Sequence, residues 1–200
     1  MKKAMAILVI GLLTLSFQTI TEMDSEEKKF DVCISEDEME MYDLINDYRK
    51  SKGLPHIPLS RSLSFVAQEH CRDLSDNYKR SKKCNLHSWS KEGEWSSCCY
   101  TADHKQAECM WYKPRELTDY DSEGYEIAFA KFRSDNSIPP MEPEEAVDSW
   151  IKSKGHNSVM INKGGFKNLT WNAMGVGMHN GFASVWFGVI EDSKIPLKCD

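Results

Sequence analysis

The chain has 200 residues, 40% of them hydrophobic and 28% charged, with 11 Gly and 7 Pro. That is the composition of one globular domain, and it excludes collagenous, low-complexity and largely disordered chains. With 25 Lys and Arg against 31 Asp and Glu the net charge is −6, which argues against a surface built to neutralise phosphates and so against nucleic acid as a partner.

Lys2 and Lys3 lead into an apolar run from Ala4 to Leu15, followed by Ser16-Phe17-Gln18, the layout of a secretory signal peptide. Residues 1–21 are assigned to it; a buried N-terminal helix is the alternative reading. The run falls short of the ~18 apolar residues of a spanning helix and no other segment approaches that length, so an integral membrane protein is not expected. A secreted or periplasmic product is. Removing the segment takes away Lys2 and Lys3 and no acid, moving the net charge from −6 to −8. Residues 22–29, acidic and without apolar period, read as a solvated linker, and residues 30–200 as the domain.

In the domain, Met41, Leu44, Ile45 and Tyr48 fall at i, i+3, i+4 and i+7 behind Ser35, predicting a capped amphipathic helix that ends before Gly53-Leu54-Pro55. Leu63, Val66, Ala67, His70, Cys71 and Leu74 repeat the stripe behind Ser60 or Ser62, with His70 read as a packed histidine rather than a ligand. From Cys84 to Tyr120 the period dissolves, predicting a long loop region held by bridges. Pro143 to Ile151 predicts a third helix, opened by proline and acids and closed by Gly155. Trp171 to Met178 and Phe182 to Ile190 read as two strands joined through His179-Asn180-Gly181, a hairpin signal. Helices early and an antiparallel hairpin late give an α+β class.

Export permits disulfides, and the seven cysteines allow at most three bridges within the chain with one thiol left over. Cys33 and Cys199 are the proposed pair, because domain termini tend to lie close together. Adjacent Cys98 and Cys99 are expected to bond elsewhere than to each other, and the remaining pairings stay open. Cys84-x-x-His87 with Cys98, Cys99 and His104 is an alternative structural zinc set, for which disulfides are the plainer explanation.

Trp150-Ile151-Lys152-Ser153-Lys154-Gly155-His156-Asn157, then Met160, Asn162 and Met174-Gly175-Val176-Gly177, resembles the C-terminal signature of the CAP superfamily: cysteine-rich secretory proteins, antigen 5 and pathogenesis-related 1 proteins. The W-x-x-S-x-G-H form is similar to the bacterial SCP-like branch. Leu63, Ala67 and His70, then Leu86-His87-Ser88, then Gly124-Tyr125-Glu126-Ile127-Ala128 follow in the family's order, so the resemblance covers about residues 37–191. It implies a three-layer α-β-α sandwich with a central antiparallel sheet and a cleft lined by two histidines and two acids. Carried over, these are His87, Glu126 and His156; the fourth position departs, with Ser153 where many relatives have Glu, and Ile127 stands where they have Asn.

Two imidazoles beside one carboxylate can hold Zn²⁺ or another divalent metal with an open position, so His87, His156 and Glu126 are the candidate metal ligands. The alternative is a structural network in which Glu126 fixes a histidine tautomer. No H-E-x-x-H, G-x-S-x-G, G-x-G-x-x-G or P-loop motif occurs, and neither Ser88 beside His87 nor Ser153 near His156 has the strained strand-to-helix setting of a nucleophile. Aromatic residues crowd the neighbouring loops, with Trp89, Tyr125 and Trp111 the candidate contacts for a small amphiphile, glycan or protein ligand. The resulting expectation is an extracellular binding module using the His87, Glu126, Ser153 and His156 cleft. A metal-assisted, peptidase-like hydrolase at the same cleft is the alternative, and a structural component of the cell envelope a third reading. Asn168-Leu169-Thr170 is a glycosylation sequon, relevant only in a host that glycosylates exported proteins.

Overall fold

A computed structural model describes residues 30, 32–81 and 83–199; the signal peptide and linker read at 1–29 lie outside the described residues. Strand β1 (Cys33–Ile34) is followed by helices α1 (Glu36–Ser51) and α2 (Arg61–Asn77), two short helices α3 (Ala107–Trp111) and α4 (Lys113–Leu117), and strand β2 (Gly124–Ala130). Helices α5 (Pro143–Lys152) and α6 (Lys154–Met160) precede strands β3 (Ala173–His179), β4 (Phe182–Gly188) and β5 (Leu197–Lys198).

The predicted caps are where chemistry places them. Ser35 and Glu38 form a reciprocal capping box on α1, Ser60 accepts from the Leu63 amide at the start of α2, and both serines satisfy amides that a helix leaves without partners. The third helix differs from expectation: it stops at Lys152, the chain breaks at Ser153, and Gly155 lies inside α6 rather than closing α5. The Cys84–Tyr120 region likewise contains α3 and α4, each only five residues long and too short to show a period.

The central sheet runs β2-β4-β3, all antiparallel, with β4 in the middle and β2 at an edge. The β3–β4 turn is Asn180-Gly181, both with positive φ (46° and 79°), as a tight hairpin between right-twisted strands requires. Strand alternation gives the sheet two different faces. Ile127, Val176 and Val185 pack with Met41 and Ile45 of α1 and Ala146 and Trp150 of α5 in the main core. The opposite face meets α2, where Ala173 and Trp186 pack with Leu63, Val66 and Ala67. Helices therefore cover both faces of an antiparallel sheet, the α+β sandwich expected.

α2 lies unusually close to β3, and two glycines allow it. A Cβ at Gly175 would stand 2.0 Å from the Leu63 carbonyl carbon, and one at Gly177 would stand 2.4 Å from that of Ala67. Other signature residues also bind the layers together. The Trp150 indole donates to the Ala128 carbonyl (3.2 Å), Asn157 donates to the Ile151 carbonyl (2.6 Å), and Asn162 accepts from the buried Arg49 guanidinium (2.8 Å). Arg49 also donates to the Met160 carbonyl (2.5 Å), so α1 and the end of α6 share one buried cation.

Three disulfides close the fold: Cys33–Cys199, Cys84–Cys99 and Cys98–Cys109. The first is the pair expected, and it staples the small parallel sheet of β1 and β5. Cys71 is the leftover thiol, buried, with its Sγ donating to the Gly177 carbonyl, and burial pushes its pKa up so that it stays protonated. No helix among the described residues is long and apolar enough to cross a membrane.

Candidate functional site

The site is assembled around one carboxylate. Glu126 lies on the α2-facing side of β2, opposite in direction to its neighbour Ile127, and its side chain has no exposure. A buried carboxylate needs hydrogen-bond donors on both oxygens, and two secondary-structure elements and a loop provide them. His70 of α2 binds Oε1 through Nδ1, and the Ser184 hydroxyl of β4 donates to the same oxygen at 2.6 Å. His87 binds Oε2 through Nδ1 at 2.8 Å.

His70 is the residue that sequence reasoning set aside as packing. It is fully buried, its ring stacks on Trp89 (centroids 4.3 Å apart), and Nε2 faces the Ser88 carbonyl at 3.1 Å. A carbonyl only accepts, so Nε2 carries a hydrogen; Nδ1 faces a carboxylate oxygen already receiving the Ser184 hydroxyl, so it donates as well. Both nitrogens thus donate, which makes His70 an imidazolium. Burial opposes that charge, but the Glu126 carboxylate against it outweighs burial and leaves the His70 pKa raised. Burial would likewise favour neutral Glu126, yet His70 and then His87 hold its carboxyl down at about 2. The signal that pointed to this was a histidine on the apolar stripe of a buried helix, which must find a polar partner.

His87 stands on the loop after α2, held by the Cys84–Cys99 disulfide, by its own amide donating to the Asn85 side chain (3.0 Å), and by the Trp89–Cys98 bridge. With Nδ1 donating to Glu126, its Nε2 is left to face outward. His156, from α6 on the other side of the sheet edge, brings its ring centroid to 6.3 Å from that of His87. Tyr100 lies 5.1 Å from His87 on its other side, and its hydroxyl is 2.9 Å from Nδ1 of His104, which is exposed. Ser153 is half-buried at the break between α5 and α6, and it makes no side-chain cap bond to α6.

Burial, then the neighbouring His87, push the His156 pKa down to about 4 from 6.5, so it is neutral at pH 7. The unfolded chain takes up that proton first as pH falls. Stability is therefore expected to decline between pH 6.5 and 4, by at most about 3 kcal/mol from this group. His70 works in the opposite direction, its contribution being complete below the unfolded value and lost as pH rises through its raised pKa. Urea unfolding of wild type and His156→Gln at pH 7, 5.5 and 4.5 checks this; equal losses in both would contradict it.

The sequence assigned His87, His156 and Glu126 to a divalent metal. The structure brings these side chains to one place, but both oxygens of Glu126 are engaged, and His87 uses Nδ1 to hold one of them. Among the described residues no group of three or more His, Cys, Asp or Glu side chains is placed to hold an ion. The donor set does not fit a three-ligand zinc centre; it leaves two imidazoles. The alternative zinc set at Cys84, Cys98 and Cys99 is replaced by disulfides. The Ser88 hydroxyl accepts from the Tyr100 amide at 2.9 Å, so it anchors the loop.

Of the aromatic candidates, Trp89 is 3% exposed, its ring between His70 and the ammonium of Lys113, which lies 5.3 Å from its centroid. Trp111 and Tyr125 are half-buried and adjacent (5.6 Å), and Tyr125 continues into Phe166 and Trp171. Tyr125 projects from the face of β2 opposite to Glu126.

A family model described as CAP, the cysteine-rich secretory protein family, matches residues 42–181. Among solved structures, an extracellular protein containing an SCP domain from Bacillus anthracis is similar at TM-score 0.51 and 20% identity, over 76% of this chain and 39% of that one. An outer surface protein from Borrelia burgdorferi gives TM-score 0.49 and 17% identity, over 81% and 97% of the two chains. A cysteine-rich secretory protein from Staphylococcus aureus gives 0.47 and 16%, over 77% and 38%. The matched region is thus well under half of the Bacillus and Staphylococcus proteins. No curated protein matches the sequence.

Proposed function

The chain belongs to the CAP family, the cysteine-rich secretory proteins, and on that scaffold we propose that it works outside the cytoplasm as a binding module whose ligand enters between His87 and His156. The observation that carries this is the closed network around Glu126. A carboxylate that is itself to act as general acid or base, or to bind a metal directly, must be free to meet the reacting group; Glu126 is capped by His70, Ser184 and His87. What the cleft presents is His87 Nε2 and neutral His156, lone pairs suited to a ligand's hydroxyl or amine hydrogens or to a loosely held cation. Three disulfides support an oxidising compartment, secreted or periplasmic. The half-exposed Trp111 and Tyr125 add a face on which a small amphiphile, glycan or protein ligand can rest.

Zinc is a direct probe of the cleft. Titrated into the full chain under histidine-selective NMR, Zn²⁺ is expected to move the His87 and His156 resonances and leave His70 unmoved, with the response lost in the His87→Ala, His156→Ala double variant. Incubation with fluorescein-labelled casein is expected to give no zinc-dependent cleavage. Chelator-sensitive hydrolysis that disappears in the double variant would establish the hydrolase instead.

A further inference from the structure

We infer that the pocket between the end of α2 and the disulfide-bonded loop is a second binding site, for a sulfated or phosphorylated polysaccharide. It is separate from the histidine cleft and independent of the function proposed there.

Lys79-Arg80-Ser81-Lys82-Lys83 places four cations in five positions of a chain whose net charge is −6. Lys79, Arg80 and Lys83 are exposed, and among the described residues none of the three has a carboxylate partner. Arg80 instead lies over the Phe132 ring, 5.3 Å from its centroid, which orients the guanidinium. This run borders a pocket of about 380 Å³ whose lining includes Lys79 and Ser81 on one side and Lys91, Ser90 and Ser97 on the other. Among the described residues Lys91 pairs with the adjacent Glu92 at 3.9 Å, both largely exposed, an interaction easily exchanged for an incoming anion.

The one carboxylate in the lining has both of its oxygens occupied by hydrogen bonds from the protein. Asp73 accepts from the Ser90 amide at 2.7 Å and from the Asn77 side chain at 2.9 Å. The rest of the lining mixes serine hydroxyls and the Asn77 amide with Leu74, the disulfide cysteines and the rings of Tyr78 and Trp89; the polar groups meet sugar hydroxyls and the rings meet sugar faces, while the cations on both rims meet sulfate or phosphate. Cys84–Cys99 and Cys98–Cys109 fix the loop wall, so little ordering is needed on binding. A membrane surface fits less well. Among the described residues the large exposed apolar side chains are Tyr112, Ile190, Ile195 and Leu197, none of which lines this pocket or lies in the basic run.

The test is binding of the full chain to a heparin octasaccharide by calorimetry across a salt series, with three comparisons. Lys79→Glu, Lys83→Glu, Lys91→Glu is expected to weaken binding at least about tenfold and to flatten the salt dependence by about one power per lysine that contacts an anion. Inorganic phosphate at equal concentration is expected to compete poorly, and phosphatidylglycerol vesicles are expected to bind more weakly than the octasaccharide. The His87→Ala, His156→Ala variant is expected to bind the octasaccharide as wild type does, which separates this site from the cleft. Lys79→Gln, Lys83→Gln serves as the milder variant should charge reversal impair folding. Absent binding at 50 mM salt, binding indifferent to the lysines, full competition by phosphate, or preference for the vesicles would overturn the proposal.

Discussion

Glu126→Ala is expected to destabilise the protein by about 3–5 kcal/mol, because it strands the His70 imidazolium inside the core and leaves the Ser184 hydroxyl and His87 without their acceptor. His70→Ala should cost a comparable amount, since it leaves a cavity and a buried carboxylate without its cation, held only by the Ser184 hydroxyl and His87. The two losses are not independent. A double variant replacing both with apolar residues, His70→Phe with Glu126→Leu, removes two buried charges together and should be less damaging than the sum of the single losses by more than 1 kcal/mol. Urea unfolding of the wild type, His70→Phe, Glu126→Leu and the His70→Phe, Glu126→Leu double variant gives this cycle directly. A Glu126→Ala cost below 1 kcal/mol, or additive losses, would mean that the network is not the charged cluster described above.

The second large effect is covalent. Cys33→Ala, Cys199→Ala opens a closure spanning 166 positions, and chain entropy alone puts the loss near about 5 kcal/mol, with about 2–4 kcal/mol typical of measured bridges. Opening Cys84–Cys99, which spans 15 positions, should cost about 2 kcal/mol less on the same reasoning. The long bridge also holds β1 and β5, next to the Ser35 cap of α1, so its removal is expected to fray both ends of the domain. Comparing denaturation midpoints of the two double variants under non-reducing conditions decides this; equal losses would contradict it.

Where local chemistry dictates local structure, the residues could be read directly. Ser35 with Glu38, Ser60, Pro143 and Asn180-Gly181 each mark a helix start or a turn by hydrogen bonds or φ angles that are set within a few residues. The resemblance in turn located His87, Glu126 and His156 together. What escaped was whatever depends on distant contacts. β2 contains Glu126 and is made a strand by pairing with β4, some 60 positions away along the chain; its own sequence shows no bounded alternating run. The α5–α6 break falls at Ser153, which takes an extended conformation between the two helices, while Gly155, a usual helix stop, continues inside α6. His70 looked like core because it is core, and its charge partner lies 56 residues further along. Distance along the chain also hid the role of Trp89, whose neighbours His70 and Lys113 come from two different helices.

That Glu126 is a carboxylate locked between the His70 imidazolium and the Nδ1–H of His87, rather than a free acid or a metal ligand, is tested most directly by nitrogen NMR of the histidine side chains at pH 7. The expected spectrum shows His70 with both ring nitrogens protonated, His87 with hydrogen on Nδ1, and His156 neutral. A neutral His70, or hydrogen on Nε2 rather than Nδ1 of His87, would contradict the closed network and return Glu126 to the cleft as a group available for chemistry.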